Sequence, residues 1–226
     1  MPTAYSSTRS SSRFLPVLRI AGDRAVQGPV ALSKDVCLVG RNWGVHLPLG
    51  SKLVSKIHAL IVKQKDGVYV RDLASRNHVL VNGQAVRETE LGAGDVMKVG
   101  PFELTCAAGF APRGSADNAD GPRAPAATLE INGGLGELPL DARAVLIGRR
   151  PECDLVIGED EDDDGVSPVH AVVFELDGER YVRDLNSSGG TQVNGDRVHQ
   201  RALRPGDEIA IGRSRMRYVV DRKSVV

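Results

Sequence analysis

Gly40-Arg41, Ser55-Lys56-Ile57-His58 and Asp72-Leu73-Ala74-Ser75-Arg76-Asn77, the last followed by Val81-Asn82-Gly83, are the segments whose reading decides the fold. Gly40-Arg41 closes the apolar run Val36-Cys37-Leu38-Val39, and Ser55 to His58 precedes a second run, Ala59-Leu60-Ile61-Val62. Each segment falls where a strand should begin or end. Loops at strand ends on a rigid sheet are where binding groups usually sit. An arginine, a serine and an asparagine on neighbouring loops suit a doubly charged oxyanion with a peptide attached. Arginine offers forked, charge-assisted donors, serine a hydroxyl, and asparagine a match for peptide backbone.

Outward from this stretch the pattern is short strands and turns. Phe14 to Ile20, Val36 to Val39, Ala59 to Val62, Val68 to Val70, Val79 to Val81 and Val96 to Val99 are apolar or alternating. Gly28-Pro29, Lys65-Asp66-Gly67, Asn82-Gly83 and Gly92-Ala93-Gly94-Asp95 supply turns, and Asn-Gly suits a type I′ hairpin. No stretch carries a helical stripe. Many short strands at even spacing predict an all-β sandwich or barrel.

The first half then recurs. Tyr69-Val70-Arg71-Asp72-Leu73 returns unchanged as Tyr181-Val182-Arg183-Asp184-Leu185, and Val81-Asn82-Gly83 as Val193-Asn194-Gly195. Ser55 and His58 return as Ser167 and His170, and Gly94-Asp95 to Gly100 as Gly206-Asp207 to Gly212. These pairs are 112 residues apart, whereas Arg41 and Arg149 are 108 apart. The second copy therefore has an insertion between its arginine and its serine, and the acidic run Glu159 to Asp164 coincides with it.

The ordered motifs resemble the forkhead-associated (FHA) domain pattern: G-R, S-[RK]-x-H, D-x-x-S-x-N-G-T-x-V-N-G and G-D-x-[IV]-x-[IV]-G. The last corresponds to Gly94-Asp95-Val96-Met97-Lys98-Val99-Gly100, with Met97 at the first [IV] place. The resemblance implies two β-sandwiches of about eleven strands each, at 14–108 and 127–221, joined by a flexible Gly/Pro/Ala linker at 109–126. A Ser/Thr/Arg tail at 1–13, expected to be disordered, precedes them, and a short tail at 222–226 follows.

It further implies that Arg41 and Ser55 hold the phosphate of a phosphothreonine. Lys56 and Arg76 add charged contacts, and Asn77 binds the backbone of the peptide. His58 and, in the second copy, His170 support the loop. The bland alternatives are a surface arginine, a turn-capping serine, an idle lysine and a turn asparagine. Beside the site, two positions of the first copy depart from the pattern: His78 and Val79 stand where the family usually has Gly and Thr. In the second copy Arg149, Ser167 and Ser188 are kept as a weaker or degenerate site. Pro168 replaces the basic residue and Gly189 the asparagine.

Charge favours the first copy as the reader of phosphopeptides. Residues 14–108 hold 12 Lys/Arg and 8 Asp/Glu, a net of +4, and residues 127–221 hold 11 and 19, a net of −8. The whole chain is formally neutral, so neither nucleic acid nor membrane is expected as a partner. No apolar run approaches the roughly 18 residues of a spanning helix. Three separated cysteines, Cys37, Cys106 and Cys153, fit neither a zinc site nor a disulfide scaffold and point to the cytoplasm.

The expected function is a non-catalytic adaptor, without cofactor or metal, for phosphothreonine proteins such as Ser/Thr kinases or their substrates. Three other readings stand beside it. One is a phosphate-independent scaffold. Another is self-regulation, with phosphorylated Thr3 or Thr8 occupying the first domain. The least favoured is a hydrolase using Ser55, His58 and Asp72, which lacks a nucleophile elbow. Asp160, Asp162, Asp164 and Gly165 open a calcium-loop pattern, but Ala171 stands where that pattern needs a glutamate. A solvated acidic loop is preferred there over calcium binding or phosphopeptide mimicry.

Overall fold

The computed structural model of the chain describes residues 15–22, 27–65, 67–111, 124–158 and 165–220. The tail with Thr3 and Thr8, most of the linker, the acidic run 159–164 and the C-terminal tail lie outside the described residues.

All regular structure among the described residues is strand. The first repeat has β1 Val17–Ala21, β2 Gln27–Ala31, β3 Val36–Gly40, β4 Leu47–Pro48, β5 Ala59–Lys63, β6 Val68–Asp72, β7 Val79–Val81, β8 Gln84–Val86, β9 Glu88–Leu91, β10 Val96–Val99 and β11 Phe102–Cys106. The second has β12 Ala127–Ile131, β13 Gly136–Pro139, β14 Ala144–Gly148, β15 Leu155–Val156, β16 Ala171–Leu176, β17 Glu179–Asp184, β18 Thr191–Val193, β19 Asp196–Val198, β20 Gln200–Ala202, β21 Glu208–Ile211 and β22 Ser214–Val220. Each repeat forms a six-stranded sheet (β2-β1-β11-β10-β7-β8 and β13-β12-β22-β21-β18-β19) and a five-stranded sheet (β4-β3-β5-β6-β9 and β15-β14-β16-β17-β20). The expected pair of eleven-stranded sandwiches is the fold observed.

One expected turn is not a turn. Gly28-Pro29 lies inside β2, where the register to β1 shifts between Leu18 and Ile20. β2 is an edge strand, so a proline without an N–H is tolerated there. Asn82 and Gly83 both have positive φ (52° and 82°), as do Asn194 and Gly195, which gives the type I′ hairpin its geometry.

Alternation along the strands builds the cores. On β3, Cys37 and Val39 face the first sandwich, among Leu18, Ile61, Val70 and Met97. The second sandwich repeats this with Val145, Ile147, Val173 and Ile209. Phe110 also packs in the first core, and Ala93 N–H donates to the Ala111 carbonyl at 2.8 Å.

The remaining face of each five-stranded sheet is covered by the other repeat. Val36, Leu38, Leu60, Val62, Tyr69 and Leu73 meet Ala144, Leu146, Val172, Phe174 and Leu185 in a third core, with Tyr181 at its edge. Equivalent positions of the two repeats thus meet, like the self-complementary patch of a two-fold dimer.

Polar contacts rim this core. Tyr69 Oη donates to Glu175 O at 3.2 Å, and the Arg143 guanidinium lies 5.7 Å from the Tyr69 ring centre. Arg143 also donates to Glu90 Oε1 at 2.8 Å and to Gln64 Oε1 at 3.0 Å. Arg71, 2% exposed, donates to Asp154 Oδ2 at 2.5 Å, and Arg87 pairs with Asp154 Oδ1.

Candidate functional site

The three marked segments meet at one end of the first sandwich. Gly40 ends β3 where only a glycine fits: an added Cβ would lie 2.3 Å from the Lys56 carbonyl oxygen. That approach lets Arg41 N–H donate to Ser55 O at 2.8 Å and Asn42 N–H to Lys56 O at 3.1 Å. Arg41 is exposed, and its Nε donates to Val54 O at 3.1 Å. This bond uses one of the three guanidinium nitrogens and leaves the two terminal ones for another acceptor, and the residue lines the groove.

Ser55 is half-buried. Its Oγ accepts the Arg76 N–H at 3.1 Å and keeps its own proton to donate. Lys56 and Arg76 are exposed. His58 is fully buried. Its Nδ1 accepts the Ser55 N–H at 3.1 Å, so Nε2 carries the hydrogen and donates to His78 O at 3.2 Å. Burial pushes the imidazole below its ordinary pKa and keeps it neutral, as this bonding requires. His78 presents that carbonyl by adopting φ 55°, the left-handed conformation glycine would take most easily.

Asp72 accepts from Ser75 Oγ at 2.5 Å, Ser75 N–H at 3.0 Å and Val79 N–H at 3.1 Å. The Ser55, His58 and Asp72 side chains therefore do not form a nucleophilic relay. The histidine bonds the serine backbone rather than its hydroxyl, and the aspartate is turned to the 75–79 loop.

Arg41, Ser55, Lys56 and Arg76 line one groove of about 440 Å³. Lys52 and, from the second repeat, Arg150 also line it, and none of its lining residues is acidic. Asn77 does not line this groove. It stands across the exposed Leu53, beside a smaller depression of about 130 Å³. Its Nδ2 donates to Leu53 O at 2.7 Å, which leaves the amide oxygen able to accept a peptide N–H. On the other flank of Arg41, Trp43 is 90% exposed.

The second repeat copies the scaffold more closely than the surface. An added Cβ on Gly148 would lie 2.5 Å from Pro168 O, and Arg149 Nε donates to Val166 O at 2.7 Å. Ser167 N–H donates to His170 Nδ1 at 2.9 Å, and Ser188 N–H to Ser167 Oγ at 2.9 Å. Arg149, Ser167 and Ser188 are thus held as Arg41, Ser55 and Arg76 are. Gly189 differs: a Cβ there would lie 2.3 Å from the Gly165 carbonyl oxygen. The chain leaving the acidic insertion occupies the space an asparagine side chain would need.

The sequence reading missed Lys52 and Arg150. The signal for Arg150 was present in the doublet Arg149-Arg150, where the first repeat has Arg41-Asn42. The three cysteines are free and buried, and burial raises their thiol pKa values to about 11, 12 and 11 for Cys37, Cys106 and Cys153. Among the described residues there is no His/Cys/Asp/Glu cluster able to hold a metal and no helix long and apolar enough to cross a membrane.

A tandem β-sandwich protein with matched loop motifs at one end of each repeat is the class these features define. The family model described as "FHA domain" matches residues 37–100 and 145–212. Together these are more than half of the chain, and the chain belongs to that family.

It is 36% identical over 80 residues to an oxoglutarate dehydrogenase inhibitor of Corynebacterium diphtheriae, covering 35% of this chain and 53% of that protein. It is 36% identical over 85 residues to the glycogen accumulation regulator GarA of Mycolicibacterium smegmatis, covering 38% and 51%. The chain thus spans about half the length of the curated relatives it matches. Among solved structures it is similar to Mycobacterium tuberculosis EmbR in complex with a low affinity phosphopeptide, at 30% identity and TM-score 0.39, covering 43% of this chain and 25% of that one.

Proposed function

We propose that the protein is a phosphothreonine-peptide-binding adaptor in Ser/Thr kinase signalling, acting mainly through its first FHA domain. The observation that carries this reading is the groove in which Arg41, Ser55, Lys56 and Arg76 converge and whose lining holds no carboxylate. A threonine phosphate brings about −1.5 to −2 charges and three acceptor oxygens near neutral pH. The Arg41 fork and the Ser55 hydroxyl take those oxygens, Lys56 and Arg76 add charge, and the Asn77 amide oxygen accepts a peptide N–H.

The partners are phosphothreonine-bearing kinases or their substrates, met in the cytoplasm. The three unpaired, buried cysteines support that setting. A binding role without catalysis agrees with the inhibitor and regulator named among the relatives. We divide the chain as two domains, 14–108 and 127–221. The second, with Arg149, Ser167 and Ser188 but no asparagine, is the weaker site and chiefly a structural partner. His58 and His170 act as loop supports.

The test is a titration of the whole chain with a phosphothreonine peptide and its unphosphorylated twin. Binding of the phosphorylated peptide only, lost in Arg41→Ala with the fold retained, supports the reading. Equal binding of both peptides would favour the phosphate-independent scaffold instead, and pull-downs before and after phosphatase treatment would then retain the same partner.

A further inference from the structure

The groove at Arg41 does not end with the first domain. Pro168, Val169, Leu185 and Asn186 of the second repeat form its opposite wall, and Arg150 stands in it beside them. Arg150 is placed there by two repeats at once. Its backbone N–H donates to Pro168 O at 3.1 Å, and its Nη1 donates across the boundary to Ala74 O at 2.8 Å. It is exposed, and the acceptor that anchors it is a neutral carbonyl rather than a carboxylate.

The sign of this charge runs against its surroundings. The second repeat is net acidic, yet the charged residue it contributes to the shared groove is an arginine. Lys52 joins it from the first repeat, so five cations line one cleft. Like charges gathered on a wall that itself carries no carboxylate repel one another and favour capture of an anion, Glu152 and Asp72 lining only the neighbouring depression beside Arg76 and Arg150. A single phosphate at Arg41 and Ser55 leaves Arg150 and Lys52 unmatched.

We propose that this inter-repeat cleft takes a peptide with two anionic side chains. The phosphothreonine sits at Arg41 and Ser55, and a second phosphate or carboxylate, on the flank facing the second repeat, sits at Arg150 and Lys52. The proposal rests on the phosphothreonine reading above and adds a partner class to it: multiply phosphorylated or acid-flanked segments. It also gives the second repeat a part in recognition that its own loop motif does not supply.

The experiment is fluorescence-anisotropy titration of the full chain with labelled phosphothreonine peptides. One has neutral flanks, and the others carry glutamate or phosphoserine on the N-terminal or on the C-terminal side. One flank, and not the other, should bind about tenfold tighter, the size of one charged hydrogen-bonded contact. Phosphoserine should exceed glutamate. In Arg150→Ala that gain should shrink to about threefold or less, because one of the two cations that hold the second anion is gone.

Lys52→Ala removes an exposed side chain that makes no bond across the boundary, and it should cut the same gain even if Arg150→Ala loosens the packing. A gain of equal size on both flanks, or one that survives both substitutions, overturns the proposal. So does equal binding of all the peptides, which leaves the phosphothreonine reading standing. Failure of the wild type to bind any of them overturns both.

Discussion

Asn77 in the first repeat and Gly189 in the second occupy the same place on the same scaffold, and their surroundings differ. Beside Asn77 there is an open depression, whereas beside Gly189 the Gly165 carbonyl has moved in. A second contrast lies at the boundary between repeats. His46 Nδ1 accepts the Leu38 N–H at 2.9 Å, and its counterpart Asp154 accepts the Leu146 N–H at 2.7 Å. The aspartate also joins Arg71 and Arg87 across the boundary. The histidine faces Arg183 and Lys34, and these charges, after burial, lower its pKa. The two repeats share the hydrogen bonds that hold the loops and differ in the groups at the loop surface and at the boundary between them.

The largest break in this comparison should come from the surface the repeats share. Phe174, fully buried there and stacked on Tyr181 at 5.7 Å, should cost about 3–5 kcal/mol when changed to alanine. Urea unfolding followed by circular dichroism measures it, and a loss below about 1 kcal/mol would mean that the two sheets do not rely on one core.

Next is binding. Arg41→Ala should weaken phosphothreonine-peptide affinity by about a hundredfold, the worth of one or two charged hydrogen bonds. Arg149→Ala should change it by less than about threefold, within what exposed charges contribute. Calorimetric titration of both variants ranks the repeats, and the reverse order would exchange their roles.

Gly189→Asn tests whether sequence identity alone restores a peptide contact. The added atoms meet backbone at Gly165, so the change should cost about 1–3 kcal/mol and bring no new peptide binding. A gain in affinity would show that the Gly165 chain yields.

The smallest effect concerns pH. His46 and His58 both have pKa values lowered on folding, so the unfolded chain binds their protons more readily. Their contribution to stability is intact above the ordinary histidine pKa of about 6.5 and falls as the pH drops below it. His46→Asp, which copies Asp154, should narrow the difference between melting temperatures at pH 7.5 and 5.5. An unchanged difference would mean that His46 is not its source.

The loops were legible in the sequence because their requirements are local. A glycine where two backbones touch, an Asn-Gly pair at positive φ and a histidine three residues after a serine each leave a mark at fixed spacing. The contact between repeats was less legible, since Leu60, Val62, Val172 and Phe174 meet through space with no spacing rule. A trace was nevertheless present. Val36-Cys37-Leu38-Val39 and Ala171-Val172-Val173-Phe174 are continuous apolar runs, and strands with one wet face alternate instead. Arg150 shows the same limit: its partner, the Ala74 carbonyl, is 76 positions away and carries no side-chain signature.

Severing the polypeptide within 112–123 would leave either half with a bare greasy slab on β3 and β5, or on β14 and β16. Such a half has a ready substitute in another copy of itself, because the slab already mates with its own near-duplicate. A lone half should therefore pair off or precipitate, and any affinity measured on it would describe an article that the intact chain never displays.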